Sequence, residues 1–130
     1  MADEHVDELA EIAHALGDGM LAFEHAPVGM YMIMPNGLIL KANRSLRALL
    51  GYEEGELVGR HVGELLDPGA AAEYAEQFPR LLSGDAASPE SSFEVLRSDG
   101  SPVRVRGAAT VSREDDGTAR YVIGWVTPEP

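Results

Sequence analysis

The sequence predicts an α+β fold built on a single antiparallel sheet, and three observations carry that prediction. Two short apolar runs flank Pro35-Asn36-Gly37, a hairpin signal, because Asn and Gly accept positive φ. The segment "AAAEYAEQFPRLLSG", residues 70–84, has the spacing of a helix that buries one side. From Ser91 onward the pattern alternates with period two around Asp-Gly turns at 99–100 and 116–117, as in successive antiparallel strands. Strands at both ends of the chain with short helices gathered between them make an α+β arrangement.

Taken in order, residues 3–16, "DEHVDELAEIAHAL", place Val6, Leu9, Ala13 and Leu16 on one helical stripe. The spacing runs on to Met20 and Phe23, where Gly17 and Gly19 weaken a continuous helix. Acids crowd the first turns, which suits the positive end of a helix dipole. The stripe fits a coiled-coil seam or an amphipathic helix packed on its own domain, and it is too short to decide between them. Strands are predicted near 29–34 and 38–42. Asn43 is a good N-cap for "RSLRALLGY", Leu46, Leu49 and Leu50 give that helix its buried stripe, and Gly51 ends it. Two short helical turns are predicted at 53–58 and 61–66, because glycines interrupt anything longer. In the helix that follows, Tyr74, Phe78, Leu81 and Leu82 point inward, and Pro79 should bend or end it. Three strands complete the chain, near 92–97, 102–112 and 119–127. Val103, Val105 and Val111 share one face of the middle one, and Arg104 and Arg106 share the other. The helices are expected to cover one face of the sheet, and the N-terminal helix part of the other.

A chain of 130 residues suits one domain with a real core. Its formal net charge of −12 would repel a phosphate backbone, so nucleic acid is not an expected partner. Asp3, Glu4, Asp7, Glu8, Glu11, Asp18 and Glu24 precede any Lys or Arg, so the start lacks the basic, apolar character of a signal peptide. The run Met30–Met34 is too short to span a bilayer. A cytoplasmic location without a membrane partner is the expectation. Cysteine is absent, which rules out disulfides, thiolate ligands and cysteine nucleophiles.

The order of strand, "PNG", strand and "KANRSLRALLGYEEGELVGR", then "FEVLRSDGSPVRVR" and "YVIGWV", resembles a PAS domain over residues 20–127. The most specific part is the run Asn43, Leu46, Leu50, Gly51, Tyr52, Glu56, Leu57, Val58 and Gly59. Asp99 and Gly100 match the family's G–H hairpin. The resemblance implies a five-stranded antiparallel sheet with a helical belt cupped over one face. Residues 1–19 would be an N-terminal amphipathic helix for dimerisation or capping, with Val6, Leu9, Ala13, Leu16, Met20 and Phe23 as its seam. Residues 20–128 would be the PAS domain, and 129–130 the start of a tail or linker to an output domain. The cup of such a domain holds a haem, a flavin, a small metabolite or only side chains. With no cysteine, no flavin or other chromophore can be held through a Cys adduct. Haem-binding members often place a His on the long helix, and residues 70–84 contain none. The family's last strand usually ends in Asp-Ile-Thr, whereas this chain reads "GWVTPEP" with Pro128 at the Asp position.

The candidate pocket residues are Met32, Met34, Leu46, Leu50, Leu57, His61, Leu65, Tyr74, Phe78, Tyr121, Ile123 and Trp125. Met30, Met32 and Met34 alternate on one strand, and methionine suits an adaptable wall as well as ordinary core filling. Tyr121, Ile123 and Trp125 share a face opposite Val122, Gly124 and Val126; facing the helices, Trp125 would stack on a flat ligand or fill the cup. His61 lies in the belt, where haem ligation is the less favoured reading. Arg104 and Arg106 suit the solvent side of the sheet, as neighbours for the acidic N-terminal helix. No catalytic or metal-binding constellation stands out. The expected function is a dimeric sensory or signalling module that binds a small ligand or a protein partner and passes a conformational change to an output domain. The alternatives are a ligand-free interaction platform and, in another class, an isomerase- or dehydratase-like enzyme in a similar cup.

Overall fold

The computed structural model describes residues 19–84 and 89–130. Residues 19–25 are helical, so the helix pattern does reach Met20 and Phe23 through Gly19. The predicted helix over 3–16, with Val6, Leu9, Ala13 and Leu16, lies outside the described residues. The chain continues through β1 (Gly29–Ile33), β2 (Ile39–Ala42), α1 (Arg44–Leu50), a 3-10 turn (Val62–Leu65), α2 (Pro68–Ser83), β3 (Ser91–Leu96), β4 (Pro102–Arg113) and β5 (Ala119–Pro128). One five-stranded sheet runs in the order β2-β1-β5-β4-β3, with every neighbouring pair antiparallel. The crossover from β2 through the helices to β3 brings the last strand back beside the first. No helix among the described residues is long and apolar enough to cross a membrane.

The three hairpin turns share one device. Asn36, Asp99 and Asp116 each accept, through Oδ1, the N–H two residues on, from Leu38 at 3.1 Å, Ser101 at 2.9 Å and Thr118 at 2.9 Å. A side chain thereby replaces a backbone acceptor at the tip, which is why Asx-Gly marks these turns in the sequence.

Asn43 is fully buried and satisfied on all sides. Its Oδ1 accepts from the N–H of Leu46 at 3.0 Å, capping α1, and from that of Met30 at 2.8 Å. Its Nδ2 donates to the carbonyls of Phe23 at 2.8 Å and Val28 at 3.0 Å. One amide therefore joins the helical segment 19–25, β1 and α1. At the other end of α1, Gly51 adopts φ +79 and returns its N–H to the Arg47 carbonyl, the left-handed cap that glycine takes without strain.

Two helix expectations need correction. Residues 53–58 form turns rather than a helical turn, with the Glu56 N–H on the Glu53 carbonyl at 3.1 Å; Gly55 and Gly59 both take positive φ, which breaks helical continuation. Pro79 does not end α2, which runs on through Ser83. Ala75, whose carbonyl loses its helical donor to the proline, is exposed and open to water, as is Pro79. Phe78, Leu81 and Leu82 keep both sides of the proline packed on the core. The 3-10 turn Val62–Leu65 stands where the second short helix was predicted.

Arg47 holds residues 19–25 from the α1 side. Its guanidinium donates to the Ala42 carbonyl at 2.7 Å and to Glu24 at 3.0 Å. The hydrogen bond and charge of Arg47 hold the Glu24 carboxyl below its ordinary value of 4.5. A carboxylate lowered on folding contributes stability above its unfolded pKa and loses it as pH falls through the folded value. Protection of the amides of residues 19–25, taken relative to unstructured amides at the same pH, is therefore expected to fall as pH drops below the ordinary glutamate range. In Arg47→Met the same segment should exchange faster already at neutral pH and lose this acid dependence. Protection factors at residues 19–25 that stay constant across this pH range in the native protein would contradict the coupling.

Candidate functional site

The belt covers only one face of the sheet. Beneath α1, the 3-10 turn and α2 lies a cavity of about 710 Å³, within the ordinary range for a small-molecule site. Tyr31, Ile33, Ile39, Phe93, Val95, Ala109, Val122 and Val126 line it from the sheet, and Leu46, Leu50, Val62, Leu65, Tyr74 and Phe78 from the belt. Glu73, Gln77 and Arg80 on α2 also border it, as does Glu94 on β3, and all four are exposed.

Glycines let the belt come close. Val126 on β5 pairs with Gly29 on one side and Gly107 on the other. A Cβ on Gly29 would sit 3.1 Å from Val126 Cγ2 and 3.2 Å from Leu46 Cδ1, so its absence admits α1 against β1. Gly124 plays the same part for Tyr31, its cross-strand partner. The tip of the Tyr31 ring lies directly over Gly124, where a Cβ would collide with its hydroxyl. The phenol thus lies along the floor of the cup.

Of the candidate pocket residues, Leu46, Leu50, Leu65, Tyr74 and Phe78 do line the cavity. Leu57 is 1% exposed and belongs to the adjoining core cluster, behind the lining. Met32, Met34, Tyr121, Ile123 and Trp125 do not line the cup. Met32 pairs with Ile123, and Met30 with Trp125, on the opposite face of the sheet from Tyr31, Val122 and Val126. Met34 is 39% exposed beyond the end of β1. Both faces of β1 and β5 are apolar, so alternation alone cannot say which turns inward. The small residues Gly124, Gly107 and Ala109, all on the inner face, decide it. Tyr31, Ile33, Val122 and Val126 were missed as lining for this reason, and the glycines opposite them are the signal that could have found them.

His61 also stands apart from the lining. It is exposed, its Nδ1 accepts the Gly63 N–H at 3.0 Å, and Glu64 accepts the His61 N–H at 3.0 Å, a capping box for the 3-10 turn. Its ring packs against Gly37 of the first hairpin, where a Cβ would collide with Nε2. The histidine therefore ties belt to hairpin. Among the described residues the lining has no His, Cys or Met, and of the side chains that ligate haem iron it offers only the phenols of Tyr31 and Tyr74. No cluster of His, Cys, Asp or Glu suited to a metal ion occurs among the described residues.

Two polar groups belong to the interior. Tyr74 stacks on Phe78 with ring centroids 5.0 Å apart. Burial pushes the Tyr31 phenol up to about 12. The Tyr74 phenol is raised as well, by burial first and then by the nearby Tyr31. Both therefore stay protonated and able to donate at any physiological pH.

On the outer face, Arg104 reaches Glu129 at 3.3 Å and Glu94 at 3.8 Å, and Arg106 pairs with Glu90. Their partners come from β3, its approach and the C-terminus. The one acid among residues 19–24, Glu24, pairs with Arg47 instead. The outer apolar row reaches the β2 edge, where Lys41, the cross-strand partner of Met32, approaches the Met20 sulfur at 3.4 Å. Met20 is 51% exposed and Phe23 half-buried. The end of β5 is fastened to the other edge. The Glu129 N–H donates to the Arg104 carbonyl at 3.0 Å, and its carboxylate accepts from Ser92 Oγ at 2.6 Å.

A five-stranded antiparallel sheet cupped by a belt of short helices over a central cavity defines a class of sensory domain. The PAS fold family matches residues 8–128, and the chain belongs to it. It is 28% identical over 105 residues to the probable diguanylate cyclase DgcE of Escherichia coli, covering 81% of this chain but only 10% of that protein. Its fold is similar to that of a PAS domain from Colwellia psychrerythraea, with a TM-score of 0.79, 16% identity and coverage of 88% of this chain and 97% of that one. A domain of a sensor histidine kinase/response regulator from Geobacter sulfurreducens gives a TM-score of 0.71 at 19% identity, covering 88% and 95%.

Proposed function

We propose that this chain is a sensory module whose cup binds a small molecule and whose sheet passes the resulting change to a dimer partner and an output domain. The observation that carries this reading is the cavity of about 710 Å³ on the inner face, walled mainly by apolar side chains, with the Tyr31 and Tyr74 phenols among them and Glu73, Gln77, Arg80, Ser91, Ser92 and Glu94 also on its lining. A cup filled by its own side chains would serve only as an interaction platform, and this one is not filled. Among the described residues the lining holds no His or Asp, and its carboxylates, Glu73 and Glu94, are exposed at the border, which supports a binding cup over an acid–base enzyme. The similarity to part of a probable diguanylate cyclase supports a place beside an output domain in signalling.

Transmission needs an occupant that binds two states of the domain with different affinity. β3 supplies both lining, through Phe93 and Val95, and the tie from Ser92 to Glu129. A shift of this edge strand would reach the chain end directly. The dimer would form through residues 1–19 and the outer face, where Met30, Met32, Tyr121, Ile123 and Trp125 make an apolar surface. The net charge of −12 supports a partner other than nucleic acid, and a cytoplasmic setting fits the lack of cysteine.

Native mass spectrometry of the protein as purified tests both parts. A dimer carrying a discrete small mass per chain is the expected result. A ligand-free species that stays empty when offered a metabolite extract would favour the platform. A dimer that survives deletion of residues 1–19 unchanged would defeat the helix-mediated interface.

A further inference from the structure

We infer that the cup takes an uncharged, largely apolar molecule carrying a hydrogen-bond acceptor of the ketone type, held by the hydroxyls of Tyr31 and Tyr74. This deepens the ligand-binding reading above and rests on it. Neither phenol makes a hydrogen bond among the described residues, although every fully shielded side-chain nitrogen or oxygen there has a partner. Their hydroxyls are therefore open to the cavity they line, and a bound molecule must satisfy them or leave them unpaired at a cost. Tyr31 is held flat on the floor by the missing side chain of Gly124, and Tyr74 descends from α2 against Phe78. Both rings line the same cavity and pack against the cluster of Ile33, Phe78 and Val122, so donors from floor and roof face one cup.

Charge narrows the class. Arg80 is the one cation on the lining among the described residues, and it is exposed at the rim of α2. A carboxylate or phosphate inside would be a desolvated charge without a counterion, approached through the field of a chain with net charge −12. The acids Glu73 and Glu94 are likewise exposed at the border, so a cation inside would also lack a partner. Two protonated phenols in an apolar cup suit a carbonyl oxygen, which has two lone pairs and no proton to place.

Three probes of one shape test this by NMR titration of the native protein freed of any co-purified molecule. They are 2-acetylnaphthalene, 2-isopropenylnaphthalene, in which a methylene replaces the carbonyl oxygen, and 2-naphthoate. The ketone is expected to bind about tenfold more tightly than the hydrocarbon, and naphthoate more weakly than either. Tyr31→Phe and Tyr74→Phe, which keep the rings, should each shrink the ketone's advantage, and the double variant should abolish it. Equal binding of ketone and hydrocarbon, or tightest binding of naphthoate, would overturn the assigned class while leaving a ligand-binding cup. Failure of all three to bind would overturn the assigned class, while the presence or absence of a bound mass in the native spectrum decides the ligand-binding reading separately.

Discussion

Asn43→Ala is expected to lower stability by about 3 kcal/mol, the largest loss from any single polar side chain in this domain. The alanine leaves the N–H groups of Leu46 and Met30 and the carbonyls of Phe23 and Val28 without the partners that the buried amide supplies. Asn43→Asp separates two roles that the sequence cannot tell apart. As an N-cap, aspartate is as good as asparagine. As a tie, it fails, because it keeps both acceptor bonds but turns a buried carboxylate toward two carbonyls. Asn43→Asp should therefore lose about as much as alanine at neutral pH. Urea denaturation measures both variants; an aspartate variant within about 0.5 kcal/mol of the native protein would reduce Asn43 to a simple cap.

The second large effect is steric. Gly107→Ala is expected to cost about 3 kcal/mol or to prevent folding. A Cβ at Gly107 would collide with the carbonyl oxygen of Trp125 and come within 2.8 Å of Val126 Cγ1. The first obstacle is backbone of β5, which is paired on both sides, to β4 and to β1. It cannot yield without opening the ladder that carries the cup's floor. Gly69→Ala is the control: its Cβ would meet Asp67 Oδ1 at an ordinary 3.4 Å, in the first turn of α2. That substitution should be neutral or slightly stabilising, since alanine favours a helix. Similar melting temperatures for the two variants would remove the proposed role of Gly107.

The candidate site was only partly legible beforehand. Leucines 46, 50 and 65, with Tyr74 and Phe78, follow from helix periodicity, because a helix standing on a sheet has one buried stripe to offer. Met32, Tyr121, Ile123 and Trp125 were misplaced, because a strand offers two faces and here both are apolar. Choosing between them required the register that sets Tyr31 against Gly124 and Val126 between Gly29 and Gly107. His61 was placed in the belt correctly, but its role as a cap depends on Gly63, Glu64 and Gly37 meeting around it.

The sequence by itself determined the local features of this protein. Asx-Gly pairs set the hairpin tips, Asn43 and Gly51 bound α1, and alternation laid out the strands, because each depends on a few adjacent residues and their backbone preferences. Tertiary structure alone decided which face of the sheet became the cup. That choice belongs to the pairing of β1 with β5, strands about ninety residues apart. Only there does the space left by a glycine on one strand acquire a tyrosine from another to fill it.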